Sequence, residues 1–234
     1  MTDQPAGSAP KVSMGELNAR YDKFVVDLLG VMAYGELSAF ERLSSDARYS
    51  PTLADRAVLG RMAVTEFEHF DLVRARLREM GIDAELAMRP FQPSIDAFHD
   101  RTRPADWYES LMKAYVIDAI SGDFYQAISE FLDPATRGVI NQVQVTEESG
   151  ELMETRLKRM LAEDPRLASR LALWGRRLVG EALTQAQRVG SEHSFLMGLM
   201  AENREAVAGR DVVNLMAELT KNHSRRMSRL GLTA

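Results

Sequence analysis

A carboxylate and an imidazole, three residues apart, share the apolar side of one predicted helix. The segment Glu66-Phe67-Glu68-His69 supplies them. At 100° per residue, Glu66 lies at the centre of the apolar stripe, His69 lies about 60° to one side, and Glu68 points away. A buried carboxylate without a partner is costly, so this pattern favours a bound cation such as a metal ion.

Two other predicted helices carry the same anomaly. Glu36 lies at the centre of the apolar stripe of the first helix, whereas Asp27 and Glu41 face elsewhere. Asp118 is central on the third helix, and Asp123 falls well off its apolar face. Together these helices direct three carboxylates and one imidazole at a common bundle axis. Carboxylate-rich sites with one or two imidazoles suit iron or manganese.

The composition limits the available ligands and partners. The 234-residue chain has no Cys, which excludes disulfides, thiol nucleophiles and Cys-ligated metal clusters. A metal must therefore use mainly oxygen and imidazole ligands, and the chain has four His. The net charge of -5 argues against a generally basic nucleic-acid-binding surface. An alternative stays open, in which Arg176 or Arg177 neutralises the carboxylates in a buried salt-bridge network without a metal.

Long helices must position these side chains. Helical periodicity dominates from residue 17 onward, and strand-like alternation is hard to find. Thr52 is a predicted N-cap and Gly81 a predicted helix stop, and Asp-Pro pairs at 133–134 and 164–165 each open a helix. The predicted helices span residues 18–45, 53–80, 105–131, 134–162, 165–189 and 210–229.

The order of these helices predicts an all-α fold. Two long helices, a crossover over 82–103 that contains Pro90 and Pro93, and two more long helices form the chain plan of a four-helix bundle with a long crossover between helices two and three. Additional C-terminal helices are expected to pack against it. We expect a disordered leader over 1–14, the bundle with a fifth helix over 15–192, and a C-terminal helical extension over 193–234. The fifth helix is amphipathic and is interpreted as a packing or dimer face.

The N-terminal segment and the lack of long apolar stretches predict where the protein is located in the cell. The N-terminal segment lacks the basic start and apolar run of a secretory signal. No stretch of the chain approaches the ~18 consecutive apolar residues that a membrane-spanning helix requires. A cytoplasmic location is therefore expected.

The sequence resembles a known group of proteins. The order Glu36, then Glu66-x-x-His69, then Asp118 on the third helix, is similar to that of the ferritin-like di-iron carboxylate bundles. More narrowly, the segments YGELSAFERL, EFEHF and IDAISGDFY resemble the MiaE-type tRNA hydroxylases, and among them an actinobacterial MiaE-like branch. In that family a di-iron site uses O2 to hydroxylate a hypermodified adenosine beside the anticodon. The resemblance covers residues 21–162.

The resemblance implies a function and a cofactor. It implies an O2-dependent non-haem iron oxidoreductase, with Glu36, Glu66, His69 and Asp118 as metal ligands and two iron ions as the cofactor. The expected partners are an RNA or small-molecule substrate and a second copy of the chain in a homodimer, with no membrane. The basic C-terminal run KNHSRRMSRL is compatible with phosphate contacts or with a solvated helix end. Tyr115 and Tyr125 share the face of Asp118 and would donate hydrogen bonds to the ligands or simply pack.

One part of the family pattern is missing. The second Glu-x-x-His is expected on helix four, but residues 143–151 contain no His. The apolar face places Glu147 nearest the site and leaves Gly150 where the imidazole belongs. The equal 30-residue separations of Glu36 from Glu66 and of Asp118 from Glu148 instead favour Glu148 with Glu151. We prefer Glu147, because the loops of the two halves need not have equal lengths.

The missing His leaves several states of the site open: dinuclear with a water in the gap, mononuclear, or empty. His99 lies in the crossover and could fold over the end of the bundle, but all three other imidazoles, His99, His193 and His223, are expected at the surface rather than as ligands. The alternative function is therefore a non-catalytic ferritin-like binding or scaffold protein with a degenerate metal site. Neither the catalytic nor the substrate-binding residues follow from the sequence.

Overall fold

The computed structural model describes residues 14–144, 147–192 and 212–234, and the regular elements in these ranges are all helical. Four of the helices are longer than 20 residues, as the periodicity predicts. The elements are α1 (Met14–Asp46), a short 3-10 helix (Ala47–Tyr49), α2 (Leu53–Glu79), α3 (Ala84–Met88), α4 (Gln92–Arg101), α5 (Trp107–Ser129), α6 (Pro134–Gln144), α7 (Glu147–Glu163), α8 (Leu167–Glu192) and α9 (Val212–Arg229).

Local capping explains where several helices begin and end. The Thr52 hydroxyl accepts a hydrogen bond from the backbone N–H of Asp55 at 3.1 Å, and the Asp106 carboxylate caps α5 in the same way. Asp133 accepts from the backbone N–H of Thr136 at 3.0 Å at the start of α6. Gly81 has a φ of 74°, a left-handed conformation that ends α2 at low steric cost. The predicted signals at Thr52, Gly81 and Asp133 are confirmed.

The predicted fourth helix over 134–162 corresponds to α6 and α7, and residues 145–146 between them lie outside the described part of the chain. One predicted segment differs from the structure. The crossover over 82–103 contains two short helices, α3 and α4, and Pro93 occupies the first turn of α4, where its missing N–H is tolerated.

The long helices form a bundle in which α1 runs antiparallel to α5. The Tyr21 hydroxyl near the start of α1 donates to Asp133 beyond the end of α5, while Ser110 near the start of α5 donates to Asp46 at the end of α1. The indole N–H of Trp174 on α8 donates to the backbone carbonyl of Glu109 at 3.0 Å. The four-helix bundle with a crossover and additional C-terminal helices is confirmed.

The α9 helix is held to the bundle by two ion pairs. Both terminal guanidinium nitrogens of Arg226 bind the carboxylate of Asp123 on α5 at 2.6 Å. Arg229 binds Glu154 on α7 at 3.0 Å. A bidentate pair of this kind is geometrically specific as well as strong, so it fixes α9 against α5.

None of the described helices has an apolar stretch long enough to cross a membrane.

The core divides into two apolar clusters, one toward each end of the bundle. On α1 the clusters stop at Ala33 and resume at Leu43, and on α2 they stop at Ala63 and resume at Phe70. The helices therefore share a central level from which their buried hydrophobic residues are absent. The largest fully buried side chains of the two clusters are Phe24, Phe91, Leu28, Leu29, Met32, Leu77, Ile128 and Ile140 in the first, and Leu59, Leu111, Met112 and Met153 in the second.

Gly30 on α1 lies against the backbone of the crossover, so a substitution at this position tests how the crossover packs. A Cβ atom on Gly30 would overlap the backbone carbonyl of Ala87 on α3, whereas a Cβ on Gly60 of α2 would meet nothing within 4 Å. We expect Gly30→Ala to lower the free energy of unfolding by about 1–3 kcal/mol through overpacking. Gly60→Ala is the matched control and should raise it by roughly 0.5–1 kcal/mol through helix propensity. Urea denaturation measures both, and a Gly30→Ala variant as stable as the wild type contradicts this packing.

Candidate metal centre

Three predicted ligands meet at the central level between the two apolar clusters. Nδ1 of His69 lies 3.6 Å from Oε2 of Glu36 and 3.7 Å from Oε2 of Glu66. One ligand atom from each of the three residues lies within 4.8 Å of the other two. Their side chains are only 11%, 12% and 17% exposed for His69, Glu36 and Glu66. The structure therefore brings Glu36, Glu66 and His69 into one mostly buried cluster.

This donor set fits a metal ion. Transition-metal bonds to imidazole nitrogen and carboxylate oxygen are roughly 2.0–2.2 Å long, so two ligand atoms on one ion lie at most about 4.4 Å apart. The distances from His69 to the two carboxylates are inside that limit. Two oxygen donors and one nitrogen donor suit iron, manganese or zinc, and the two carboxylates would neutralise a divalent charge.

The pKa values show what the cluster does without a cation. Burial raises the pKa of Glu36, and the charge of Glu66 adds to that rise, while His69 opposes it. Burial alone would lower the pKa of His69, but its contacts with Glu36 and Glu66 outweigh burial and raise it. Without a bound cation, these raised pKa values favour protons on Glu36 and His69 at neutral pH, and the protons balance the carboxylate charge.

Asp118 lies beside this cluster without joining it. Asp118 lines a cavity next to the cluster and is exposed, although the surrounding protein desolvates its carboxylate. Burial and the charge of Glu66 raise the pKa of Asp118 to about 6, and His69 and Arg226 act in the opposite direction. Asp118 therefore interacts electrostatically with the ligands, but the three-residue group at 4.8 Å does not include it.

The two tyrosines predicted near the ligands have different positions. Tyr125 is buried and lines the cavity, and burial together with the charge of Glu36 raises its pKa. Tyr115 is also buried, but its hydroxyl donates to Glu154 of α7 at 3.2 Å. Only Tyr125 is thus placed to act on the ligand cluster.

The fourth-helix ligand stays a prediction. The side chains of Glu147 and Glu148 lie outside the described part of the structure, and Glu147 is described only as the first residue of α7. Glu151 is exposed and Glu148 is not described, so the Glu148–Glu151 alternative also stays a prediction. At Gly150 a Cβ atom would meet nothing within 4 Å, so the described residues leave open space there.

The expectation that the other imidazoles lie at the surface is wrong for two of them. His99 on α4 is only 9% exposed, because the crossover folds over the bundle and inserts this side chain beside α1 and α5. His223 on α9 is 2% exposed. Neither belongs to the three-residue metal group, and His193 lies outside the described residues.

The two arginines that could have neutralised the carboxylates point elsewhere. Arg176 donates to the backbone carbonyl of Thr233, and Arg177 donates to that of Arg101. The partners recorded for Glu36 and Glu66 are His69 and each other. The described contacts therefore give no support to the salt-bridge alternative.

A cavity of about 300 Å³ adjoins the cluster. Its walls come mainly from α1, α5, α8 and α9, and apolar side chains such as Ile117, Phe124 and Leu219 dominate them. Its volume lies at the lower end of the range for small-molecule sites. Glu36, Glu66 and Asp118 face one part of it.

Sequence reasoning missed the other polar group in this cavity, formed by Arg42, Asp46, His99 and Lys113. One local signal existed, since Lys113 interrupts the apolar run Leu111-Met112-Lys113-Ala114-Tyr115. The partner His99 comes from the crossover, whose position over the bundle no local pattern gives.

The raised pKa values predict how metal binding depends on pH. A cation must displace the protons that Glu36 and His69 retain, so its affinity should rise with pH by up to about tenfold per unit for each proton released. Calorimetric titration of Mn2+ between about pH 6 and pH 8, in two buffers of different ionisation enthalpy, measures both affinity and proton release. An affinity independent of pH over this range contradicts the described electrostatics.

Comparisons with known proteins agree with the fold. A family model described as "Ferritin-like domain, actinomycetes" matches residues 19–203. The solved structure of "Protein 19 with aldehyde deformylating oxidase activity from Synechococcus" is similar, with a TM-score of 0.70 and 22% sequence identity over 92% of this chain and 93% of that chain. A search of curated proteins found none that matches. Because the family match covers most of the chain, the protein belongs to the actinomycete ferritin-like domain family.

Proposed function

We propose that this protein is a ferritin-like non-haem iron oxidase that uses O2 to oxidise an organic substrate. The observation that carries the proposal is the mostly buried Glu36–Glu66–His69 cluster at the wall of an apolar cavity. Carboxylate and imidazole ligands in this ratio suit iron, and the cavity gives a substrate a position beside them. The similarity to a protein with aldehyde deformylating oxidase activity supports the same broad chemistry.

The chain supplies ligands, proton handling and exclusion of water. Glu36, Glu66 and His69 would hold the iron, which supplies activation of O2 when bound. Asp118, with a pKa of about 6, is placed to accept or release a proton at its carboxylate near neutral pH. The Tyr125 hydroxyl is a donor on the cavity wall near Glu36. The apolar walls keep bulk water from the substrate.

The number of metal ions would depend on the ligands that α7 provides. Glu36, Glu66 and His69 are sufficient for one iron. A second iron would use Asp118 and Glu147, with water in place of the missing imidazole. We propose that the site binds one iron tightly and a second more weakly, because the second would have no described nitrogen ligand.

For the substrate, the sequence resemblance supports hydroxylation of a modified tRNA nucleoside, and the structural similarity supports oxidation of an aldehyde. The dominant apolar lining of the cavity favours a small apolar substrate. Of the basic residues in the C-terminal run, Arg226 and Arg229 are engaged by Asp123 and Glu154, and Lys221 and Arg225 are exposed. Two exposed cations are a small surface for RNA phosphates. We therefore propose a small apolar aldehyde as the first substrate to test.

Substitutions within the Glu66–His69 segment test the metal site. Glu66→Ala and His69→Ala each remove a ligand, so iron affinity should fall by more than the ~10–100-fold typical of losing a group that only supports a ligand. Glu68→Ala is the matched control, since Glu68 is exposed on the same helix turn. Iron per chain is measured by elemental analysis after expression with added iron.

The same experiment separates the oxidase from its main alternative. A protein that binds no iron, and is equally stable after Glu66→Ala, would be a non-catalytic helical binding or scaffold protein with a degenerate site. Equal iron content in Glu66→Ala and Glu68→Ala overturns the proposed ligand set.

Oxygen consumption tests the chemistry directly. The protein loaded with ferrous iron should consume O2, and the initial rate should fall at least tenfold in Glu66→Ala but stay near the wild-type value in Glu68→Ala. An oxygen electrode measures the rate with and without an external reductant. Iron-loaded protein that consumes O2 no faster than free ferrous iron contradicts the oxidase assignment.

A further inference from the structure

The cavity beside the metal ligands contains a buried cation that the proposed oxidation does not use. Lys113 on α5 is 7% exposed and lines the cavity. A buried ammonium is costly without partners. Its recorded contacts are a 3.1 Å hydrogen bond with Nδ1 of His99 and a position 5.6 Å from the centre of the Phe98 ring.

The hydrogen bonds around Lys113 allow one consistent assignment of donors and acceptors. An ammonium can only donate, so Lys113 donates to Nδ1 of His99, and the neutral imidazole then carries its hydrogen on Nε2. That nitrogen donates to the Ser38 hydroxyl at 3.2 Å, and Ser38 donates to the backbone carbonyl of Gly35 at 3.0 Å. The chain of bonds holds the lysine in place and satisfies one of its three N–H groups. Within the described part of the chain the other two N–H groups have no hydrogen-bond acceptor, so they are available to a ligand in the cavity.

Two carboxylates and one other cation act on the charge of Lys113. Arg42 and Asp46 of α1 and Asp100 of α4 act on it, and Asp46 is itself engaged by a 2.9 Å hydrogen bond from Ser110. Neither carboxylate lies within ion-pair distance of Lys113 among the recorded pairs. Burial lowers the pKa of Lys113 to about 8 and that of His99 to about 3. At neutral pH the lysine is therefore charged and the imidazole is neutral.

The lysine is offset from the metal ligands along the bundle. Lys113 precedes Asp118 by five residues on α5, which corresponds to ~7.5 Å along the helix axis. Arg42 and Asp46 follow Glu36 on the antiparallel α1 and so lie on the same side of it as Lys113. Between the two polar levels the cavity wall is formed by apolar side chains, Ala39, Ala114 and Ile117.

We propose that Lys113 binds the carboxylate of an aliphatic monocarboxylic acid whose hydrocarbon chain lies along the cavity toward Glu36 and Glu66. A single buried ammonium with two available N–H groups matches one carboxylate. The neighbouring Asp46 disfavours a doubly charged phosphate, and the small cavity favours a single chain over a bulky ring system. This substrate class rests on the proposed oxidase function, whereas binding of the acid itself does not require a metal.

A carboxylate bound at Lys113 fixes the orientation of the ligand in the cavity. With its carboxylate at Lys113, the ligand would present carbons along its chain, rather than its carboxyl group, to the metal ligands. The opposite orientation, with the carboxylate on the metal, would make binding depend on iron and not on Lys113. The two orientations can therefore be distinguished by binding alone.

Isothermal titration calorimetry with decanoate tests this site. The full-length protein is titrated at about pH 7, both with iron and after removal of metal by chelation. Lys113→Met keeps the length of the side chain and removes its charge, and should weaken decanoate binding about tenfold or more. Lys221→Met is the matched control, because Lys221 is exposed on α9, and it should bind decanoate like the wild type.

A comparison of ligands on the wild-type protein keeps the test independent of the folding of the variant. Decanoate should bind at least tenfold more tightly than 1-decanol, and decylammonium should bind more weakly than either. Equal binding of decanoate and decylammonium, or equal decanoate binding by the wild type and a folded Lys113→Met variant, overturns the proposal. So does decanoate binding that requires iron.

The outcome is separable from that of the oxidase proposal. A protein without iron that still binds decanoate through Lys113 would retain the carboxylate site and lose the oxidase function. Iron binding with no effect of Lys113→Met on decanoate affinity would do the reverse.

Discussion

The structure depends on the placement of Glu36 and Glu66 against His69 in the interior of the bundle. These groups interrupt the apolar core at one level, and the two hydrophobic clusters lie on either side of it. Buried carboxylates in such a position must hold protons or bind a cation. The helices on which they lie must therefore keep a fixed register, since a shift of one residue would turn a carboxylate by about 100° from its partners.

Much of the fold could be predicted because its signals are local. Apolar periodicity located the long helices, and capping by Thr52 and Asp133 located two of their starts. The same periodicity identified Glu36, Glu66 and His69, since a charged residue in an apolar stripe is visible in the sequence alone.

The other polar group in the cavity illustrates what local patterns omit. His99 meets Lys113 and Ser38 only because α4 docks across the bundle, and its sequence neighbours give no indication of that contact. The packing of Gly30 against the carbonyl of Ala87 fixes the crossover from the opposite end. Both contacts are tertiary, and both position the crossover relative to α1. The crossover thus takes part in building the cavity rather than only connecting two helix pairs.

The Arg226–Asp123 pair makes α9 part of the cavity wall. It attaches α9 to the helix that carries both Asp118 and Lys113, and Leu215, Met216 and Leu219 of α9 form part of the cavity wall. Removing α9 would therefore remove one wall of the cavity and admit solvent to Glu36, Glu66 and His69. The packing of α9 thus determines how far solvent reaches this polar cluster, although none of its three members lies on α9.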